Sequence, residues 1–593
     1  MNPISFFRSL TQFILIALFL LPSLSAHAGL IVLVGDATPD GDNFPTLDCG
    51  DAGNPCDTIQ NGVDVANPGD TLQIAAMTFE ENVVINKSLT LTGAGQGQTL
   101  VLPAVSAPNP CNDSSLCGGA ASTILLVEAD DVLIQGMTLD GNNPGLTSGV
   151  VLNGEDVDAR IGIITNFLVD DFNNLEVANV TVQNVYLRGI QSGSATFNFH
   201  DNTVSNVQGD GFAIALFNFG GSGTFANNQV SNCTDGIASN WSGGTQYLNN
   251  QVTGCLSGIH SDNAGGSGAA LYPNATSDLI QGNTVSDCEG PQDGTFGVWT
   301  FVSYVPQQVE ANRVENCDYG LAMFGQQEGE APAFLNNHSE NNGTGVLITT
   351  DITPYGSRDI SGIFVSNQIV GNQLGILLQA QDGFVLDADF AFNRIVGNAD
   401  AGVQGSDDPG TYNVSLGNNW WGCNEGPNDA AGDCDTVEDF QTFDPWLVLT
   451  LEAPAQATAG ERVGLRAHTF FNSNGEDVSA MGLLPDILSS FHSTTLGQVD
   501  PEQVVHSLGA SLFDFVAPNS PGSADVSVTL DNQTVTQTIE VVAGQVPVPV
   551  GPVNSFFGSG GCQLGDAIPA SGNFLWLGVV WIAGLMLCRK KIL

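Results

Sequence analysis

Positive charge is the scarcest commodity in this chain. Its 593 residues include 12 Lys plus Arg against 62 Asp plus Glu, a formal net charge of -50. Such a chain repels nucleic-acid phosphates and is not drawn to anionic lipid headgroups, so nucleic acid is excluded as a partner. Cations and uncharged polymers stay compatible. Methionine (6) and histidine (7) are sparse and unclustered, which gives no soft-metal or imidazole site. No Cys pair has zinc-ligand spacing with a nearby His pair, so metal binding through thiolates is not indicated. Long apolar runs are missing too. The run Phe574–Cys588 is 15 residues, which at ~1.5 Å per residue falls short of a ~30 Å hydrocarbon core.

Hydrophobic residues are not scarce: at 42% they supply a sizeable core, and 71 glycines punctuate them. Residues 1–28 carry one early cation (Arg8), the run FILIALFLL and small residues at Ala26 and Ala28, the pattern of a secretory signal peptide cut before Gly29; a retained anchor is the alternative. Export permits disulfides, and Cys49 with Cys56, Cys111 with Cys117 and Cys423 with Cys434 form close pairs suited to small closed loops.

A phrase recurs through the middle of the chain. NNQVSNCTDGI begins at Asn227 and NNQVTGCLSGI at Asn249. Aligned on asparagine, starts fall at Asn202, Asn228, Asn250, Asn283, Asn312, Asn337, Asn367, Asn393 and Asn418, spaced by 22 to 33 residues. Five residues after each start lies a column of Val207, Cys233, Cys255, Cys288, Cys317, Asn342, Asn372, Asn398 and Cys423. Short period-two apolar segments with Gly at corners and Asn in columns predict a coiled β-solenoid in which like residues stack at ~4.8 Å. Cys233, Cys255, Cys288 and Cys317 then share one inward column, as bridged neighbours or as free thiols.

CDTIQNGVDVANPGDTLQIAAMTFEENVVINKSLTLTGAG, from Cys56, and NNWWGCNEGPND with DPWL, from Asn418 and Asp444, resemble the opening and closing coils of right-handed parallel β-helix proteins of the pectin lyase-like superfamily, including the NosD-type repeat family. The resemblance implies an all-β chain, with residues 29–447 a right-handed parallel β-helix solenoid. It is weak for activity. The polygalacturonase Asn-Thr-Asp and Arg-Ile-Lys signatures are absent, TFEEN at Thr78 only faintly echoes the pectin methylesterase pattern, and pectate-lyase bases are few. Residues 448–543 alternate apolar and polar, with a hairpin turn expected at Asp531 and Asn532, and resemble a bacterial Ig-like β-sandwich that spaces or presents its neighbour. A Pro, Gly and Ser-rich linker, 544–561, follows.

Residues 562–593 join Gly560-Gly561-Cys562 to a short transmembrane helix and a basic tail. They resemble C-terminal sorting signals of the GlyGly and MYXO type. That resemblance implies a C-terminal sorting protease as partner, Cys562 as the anchor point and a cell-surface location; a permanent membrane anchor is the alternative.

Two constellations carry chemistry. Before the corner Gly, Arg188, Asp210 and Asp235 read as one column on successive rungs, spaced as the carboxylates of a retaining glycosidase, although Asp before Gly is also ordinary turn chemistry. Beyond the corner Gly, outward parity gathers Asn240, His260, Asp262, Trp299, Phe301 and Phe324, with Trp241 at a strand end. Aromatics beside amides and carboxylates suit a glycan or polysaccharide. Their alternative is a satellite core under the insertions from Gly265 or Gly290. The acidic loops DATPDGDNF and DAAGDCDTVEDF offer Ca²⁺ ligands without matching a known calcium-loop pattern, so no cofactor is assigned. Carbohydrate binding or adhesion is one expectation, a polysaccharide lyase or glycoside hydrolase the other.

Overall fold

The computed structural model describes residues 29–36, 41, 48–111, 114–119, 121–262, 277–290, 294–303, 306–326, 331–429, 431–440 and 442–544. The segment expected to be a signal peptide, nearly all of the expected linker and the segment bearing Cys562 lie outside them.

The chain is a right-handed parallel β-helix followed by mainly antiparallel sheets. Each coil contributes three short strands. One sheet runs through 14 parallel strands from Ile31–Val34 to Thr411–Ser415. The others form a continuous 21-stranded set that turns a corner within each rung, so that Gln229–Asn240 pairs with Gln251–Asp262 on both sides of the bend. Alternation decides what faces in: Val309 and Val314, each central in a three-residue strand, are fully buried between half-exposed neighbours. Like residues stack on like, as in Phe334, Phe364 and Phe390, whose ring centroids step by 4.7 Å.

The asparagine column is a buried hydrogen-bonded ladder. Asn312 is typical: its Oδ1 accepts from the backbone N (3.0 Å) and Nδ2 (2.9 Å) of Asn283, while its Nδ2 donates to Ile280 O (2.8 Å) and Asn337 Oδ1 (2.9 Å). Each amide thus satisfies backbone groups that the turn leaves outside the sheet. The last ladder residue is Asn419, not Asn418: Asn393 donates to Asn419 Oδ1, and Asn418 occupies the left-handed turn position (φ 58°) that Asn227 and Asn249 fill on earlier rungs. Asn tolerates that conformation, so two adjacent asparagines offered two registers.

The cysteine column is inward-facing and bridged in pairs. Cys233–Cys255 and Cys288–Cys317 link neighbouring rungs, closing 22 and 29 residues. Below them Asn342, Asn372 and Asn398 form a second ladder whose end is held by Asp435 Oδ2, not by Cys423. Cys423 joins Cys434, and Cys49–Cys56 and Cys111–Cys117 are bridged as their spacing suggests.

Each end of the solenoid is covered. The helix Ile59–Val65 buries Ile59 and Val63 over the first coils. Glu81 accepts from the backbone N of Ile59 and Gln60 at its start, and Lys87 Nζ donates to Val63, Asp64 and Ala66 carbonyls at its end, matching charge to the helix termini.

At the other end, Leu447–Val542 forms sheets of four and five strands. The hairpin turn is at Asp531 and Asn532 as expected, with Leu530 paired to Gln533 and Asp531 left-handed (φ 51°). Its tip docks on the last coil. Asp531 accepts from Trp420 Nε1 (2.7 Å) and from the Arg394 guanidinium, Asn532 N donates to Gly422 O, and Phe392, Val396 and Trp420 share one apolar cluster with Leu449, Phe515 and Val528. These sheets cap the coil directly rather than standing off it as a spacer.

Candidate functional site

The corner glycines build the outward strand. A Cβ at Gly258 would lie 2.4 Å from both Gly297 O and Val285 Cγ1, so the glycine corners leave no room for a side chain where the chain bends. Beyond the bend, pairing places Asn240 beside Asp262, His260 beside Trp299, Asp262 beside Phe301 and Phe301 beside Phe324. The six residues expected on this face therefore occupy adjoining positions on consecutive rungs, and Trp241, 41% exposed, ends its strand with its N–H on Asp262 O.

The aromatics form one connected platform. Trp299 meets Phe324 edge-on at 5.6 Å and Phe301 at 6.2 Å, and its ring stacks on His260 at 4.2 Å. Sequence reasoning missed Phe296, Tyr319 and Tyr355. Phe296 and Tyr319 stack at 5.1 Å, Phe296 meets Phe324 at 5.4 Å, and Tyr355, 76% exposed, stands against Phe301 at 6.1 Å. The signal for the first two was present: each immediately precedes a corner Gly, in the very column assigned to acids. Tyr355 sits on an out-of-register insertion and leaves no periodic trace. Trp299, Phe301, Phe324, Phe296 and Tyr319 are all half-buried, with one flank open.

His260 is the exception to outward exposure. It is 5% exposed, its Nε2 lies 3.1 Å from Asn240 Oδ1 and its Nδ1 has no hydrogen-bond partner. Burial pushes it down to about 3, so it is neutral at ordinary pH and Nδ1 is left as a bare acceptor when Nε2–H bonds the amide oxygen.

Arg188, Asp210 and Asp235 do not share a column on successive rungs. The register runs Arg188, Ile214, Asp235, because the intervening rung turns its corner at Ala215 instead of a glycine and Asp210 is left in the preceding turn, accepting from Phe212 N at 2.8 Å. Arg188 is buried and spent on Leu187 O and Phe212 O, over the Phe217 ring at 4.7 Å; burial lowers it to about 10, opposed by Asp210 and Asp235. Asp235 connects to the platform through Ser257, its register partner on the next rung, whose Oγ accepts from Trp299 Nε1 at 2.8 Å. Burial raises Asp235 to about 7 against the pull of Arg188 and Ser257. Among the described residues no three His, Cys, Asp or Glu converge as a metal site.

These two shifts oppose each other in pH. His260, depressed, contributes stability present above ~6.5 that is lost as pH falls toward its folded value, while Asp235, raised, contributes stability present below ~4 that is lost as pH rises toward 7, each at up to about 1.4 kcal/mol per pH unit. Between pH 4.5 and 6.5 the slopes cancel. Asp235→Asn is expected to lose stability relative to wild type as pH drops across that window and His260→Gln to gain it. Denaturant unfolding at the two pH values checks this, and parallel curves for both variants would refute it.

Residues 219–358 match the family described as right handed beta helix region, which spans the platform. No curated protein matches the chain. Solved structures similar to it include the Azotobacter vinelandii mannuronan C-5 epimerase AlgE6 A-module (17% identical, 61% of this chain and 89% of that one, TM-score 0.33). Others are the DFA-IIIase from Arthrobacter chlorophenolicus A6 without its lid (14%, 63% and 88%, 0.32) and the catalytic unit of the GH87 alpha-1,3-glucanase from Streptomyces thermodiastaticus strain HF3-3 (13%, 60% and 64%, 0.36).

Proposed function

We propose that this is an exported, surface-held β-helix protein that binds glycans, or adheres through them, on the platform centred on Trp299. The observation that carries this reading is the half-open row of contacting rings, Tyr319, Phe296, Trp299, Phe324, Phe301 and Tyr355, set beside Asn240 and Asp262 on a rigid sheet. Sugar rings present C–H faces to such rings and hydroxyls to such amides and carboxylates. Five disulfides support residence in an oxidising compartment. Release or anchoring through Cys562 belongs to the same proposal, with a sorting protease and the membrane as partners.

Trp299→Ala is expected to weaken glycan binding by roughly 1–3 kcal/mol, about five- to 150-fold in Kd, while Tm moves little. Isothermal titration beside thermal melting checks it; a fall in Tm with binding unchanged would make the platform a satellite core. The competing reading, glycan cleavage, is favoured by one observation, the near-neutral Asp235 linked through Ser257 to Trp299. A reducing-sugar signal that Asp235→Asn abolishes while binding survives would establish it.

A further inference from the structure

We propose that the preferred ligand of the platform is a glycan carrying free amino groups, and that oligouronates are rejected. This rests on the glycan-binding reading above and adds the charge class. Carboxylates and amides dominate the polar border of the rings. Asp262 lies on the rung between Asn240 and Phe301. On the other side of the corner, beside Tyr319, a groove of about 720 Å³ is lined by Gln208, Asn232, Glu289, Asn316 and Asp318 among other residues, with no Lys or Arg in its wall.

His260 supplies an independent indication. It is 95% buried within the platform, and with Nε2 engaged by Asn240 its unpartnered Nδ1 is an acceptor awaiting a donor. An ammonium donates three hydrogen bonds, accepts none and is attracted to the faces of Trp, Tyr and Phe. A carboxylate presents only acceptors and a like charge.

Two guanidiniums border this face. Arg188 is buried, gives its Nη1 to two backbone carbonyls and lies over the Phe217 ring. Arg358, whose Cβ lies 3.4 Å from where a Gly325 side chain would begin, is the cation that a uronate would have to use.

The test titrates the full chain with labelled hexasaccharides of glucosamine, N-acetylglucosamine and galacturonate at pH 5.5 in low salt. The glucosamine chain is expected to bind about tenfold or more tighter than its acetylated counterpart, with galacturonate weakest. Raising salt to ~0.5 M is expected to shrink that preference, since exposed charge pairs are screened within a few ångströms. Asp262→Asn should narrow it to about twofold, and Trp299→Ala should weaken both hexosamine chains alike. Equal or tighter binding of the acetylated or uronate chain, or uronate binding lost in Arg358→Gln, overturns the amino-sugar proposal and leaves the glycan reading standing. Binding of none of the three overturns both.

Discussion

Asp531→Ala is expected to destabilise the protein by roughly 3–5 kcal/mol, the cost of leaving a buried charge without its partner. The Asp531 side chain is 7% exposed and Arg394 16%. Removing the carboxylate strands the guanidinium and the indole N–H of Trp420, which is itself fully buried. Alanine also sits poorly in the left-handed turn, by about 1–2 kcal/mol. Asp531→Asn separates the contributions: it keeps the turn and an acceptor for Trp420 and is expected to recover part of the loss. Urea unfolding followed by tryptophan fluorescence reports on the docked end itself. A loss below about 1 kcal/mol would mean that water reaches Arg394 and that the sheets rest on the coil without being locked to it.

Asn312→Ala is expected to act at the middle of the solenoid with comparable force. The amide accepts twice and donates twice at 1% exposure, and no water-sized vacancy replaces it for free. Its removal leaves Asn283 N buried without a partner, at roughly 1–3 kcal/mol, and takes one bond each from Asn283 Nδ2 and Ile280 O. Asn312→Asp restores the acceptor but not the donor and buries a charge, so it is expected to be no better than alanine. The measurement is the denaturation midpoint with the slope unchanged; a small shift would show that the ladder breathes and that its amides bond solvent instead.

Much of this was legible in the chain because stacking is a local rule applied repeatedly. Asn228, Asn250 and Asn283 announce their column, and Cys233, Cys255, Cys288 and Cys317 theirs, since each neighbour along the axis is also a neighbour in sequence phase. The outward parity beyond Gly236, Gly258, Gly297 and Gly320 placed Trp299, Phe301 and Phe324 together for the same reason. The errors came where phase was ambiguous. Asn418 and Asn419 are adjacent candidates for one slot, and Ala215 turns a corner where glycine was expected, so Asp210 was assigned to a column that Ile214 holds. Contact without period leaves no trace in the sequence. Arg394 and Asp531 are 137 residues apart and belong to different architectures, so nothing in either's surroundings forecasts the other.

The paired cystines also bear on how such a chain can lengthen or shorten by gene rearrangement. Excising one repeat unit, from Asn228 to Asn249, would set Asn202 directly above Asn250 and keep the asparagine ladder intact. It would also delete Cys233 and leave Cys255 without its partner. Where the inward column is asparagine, between Asn342 and Asn398, a single unit can be gained or lost with every bond re-formed. Heritable variation in length is therefore quantised differently along one molecule: by ones toward the end where the Leu447–Val542 sheets dock, and by twos through the stretch that carries the platform.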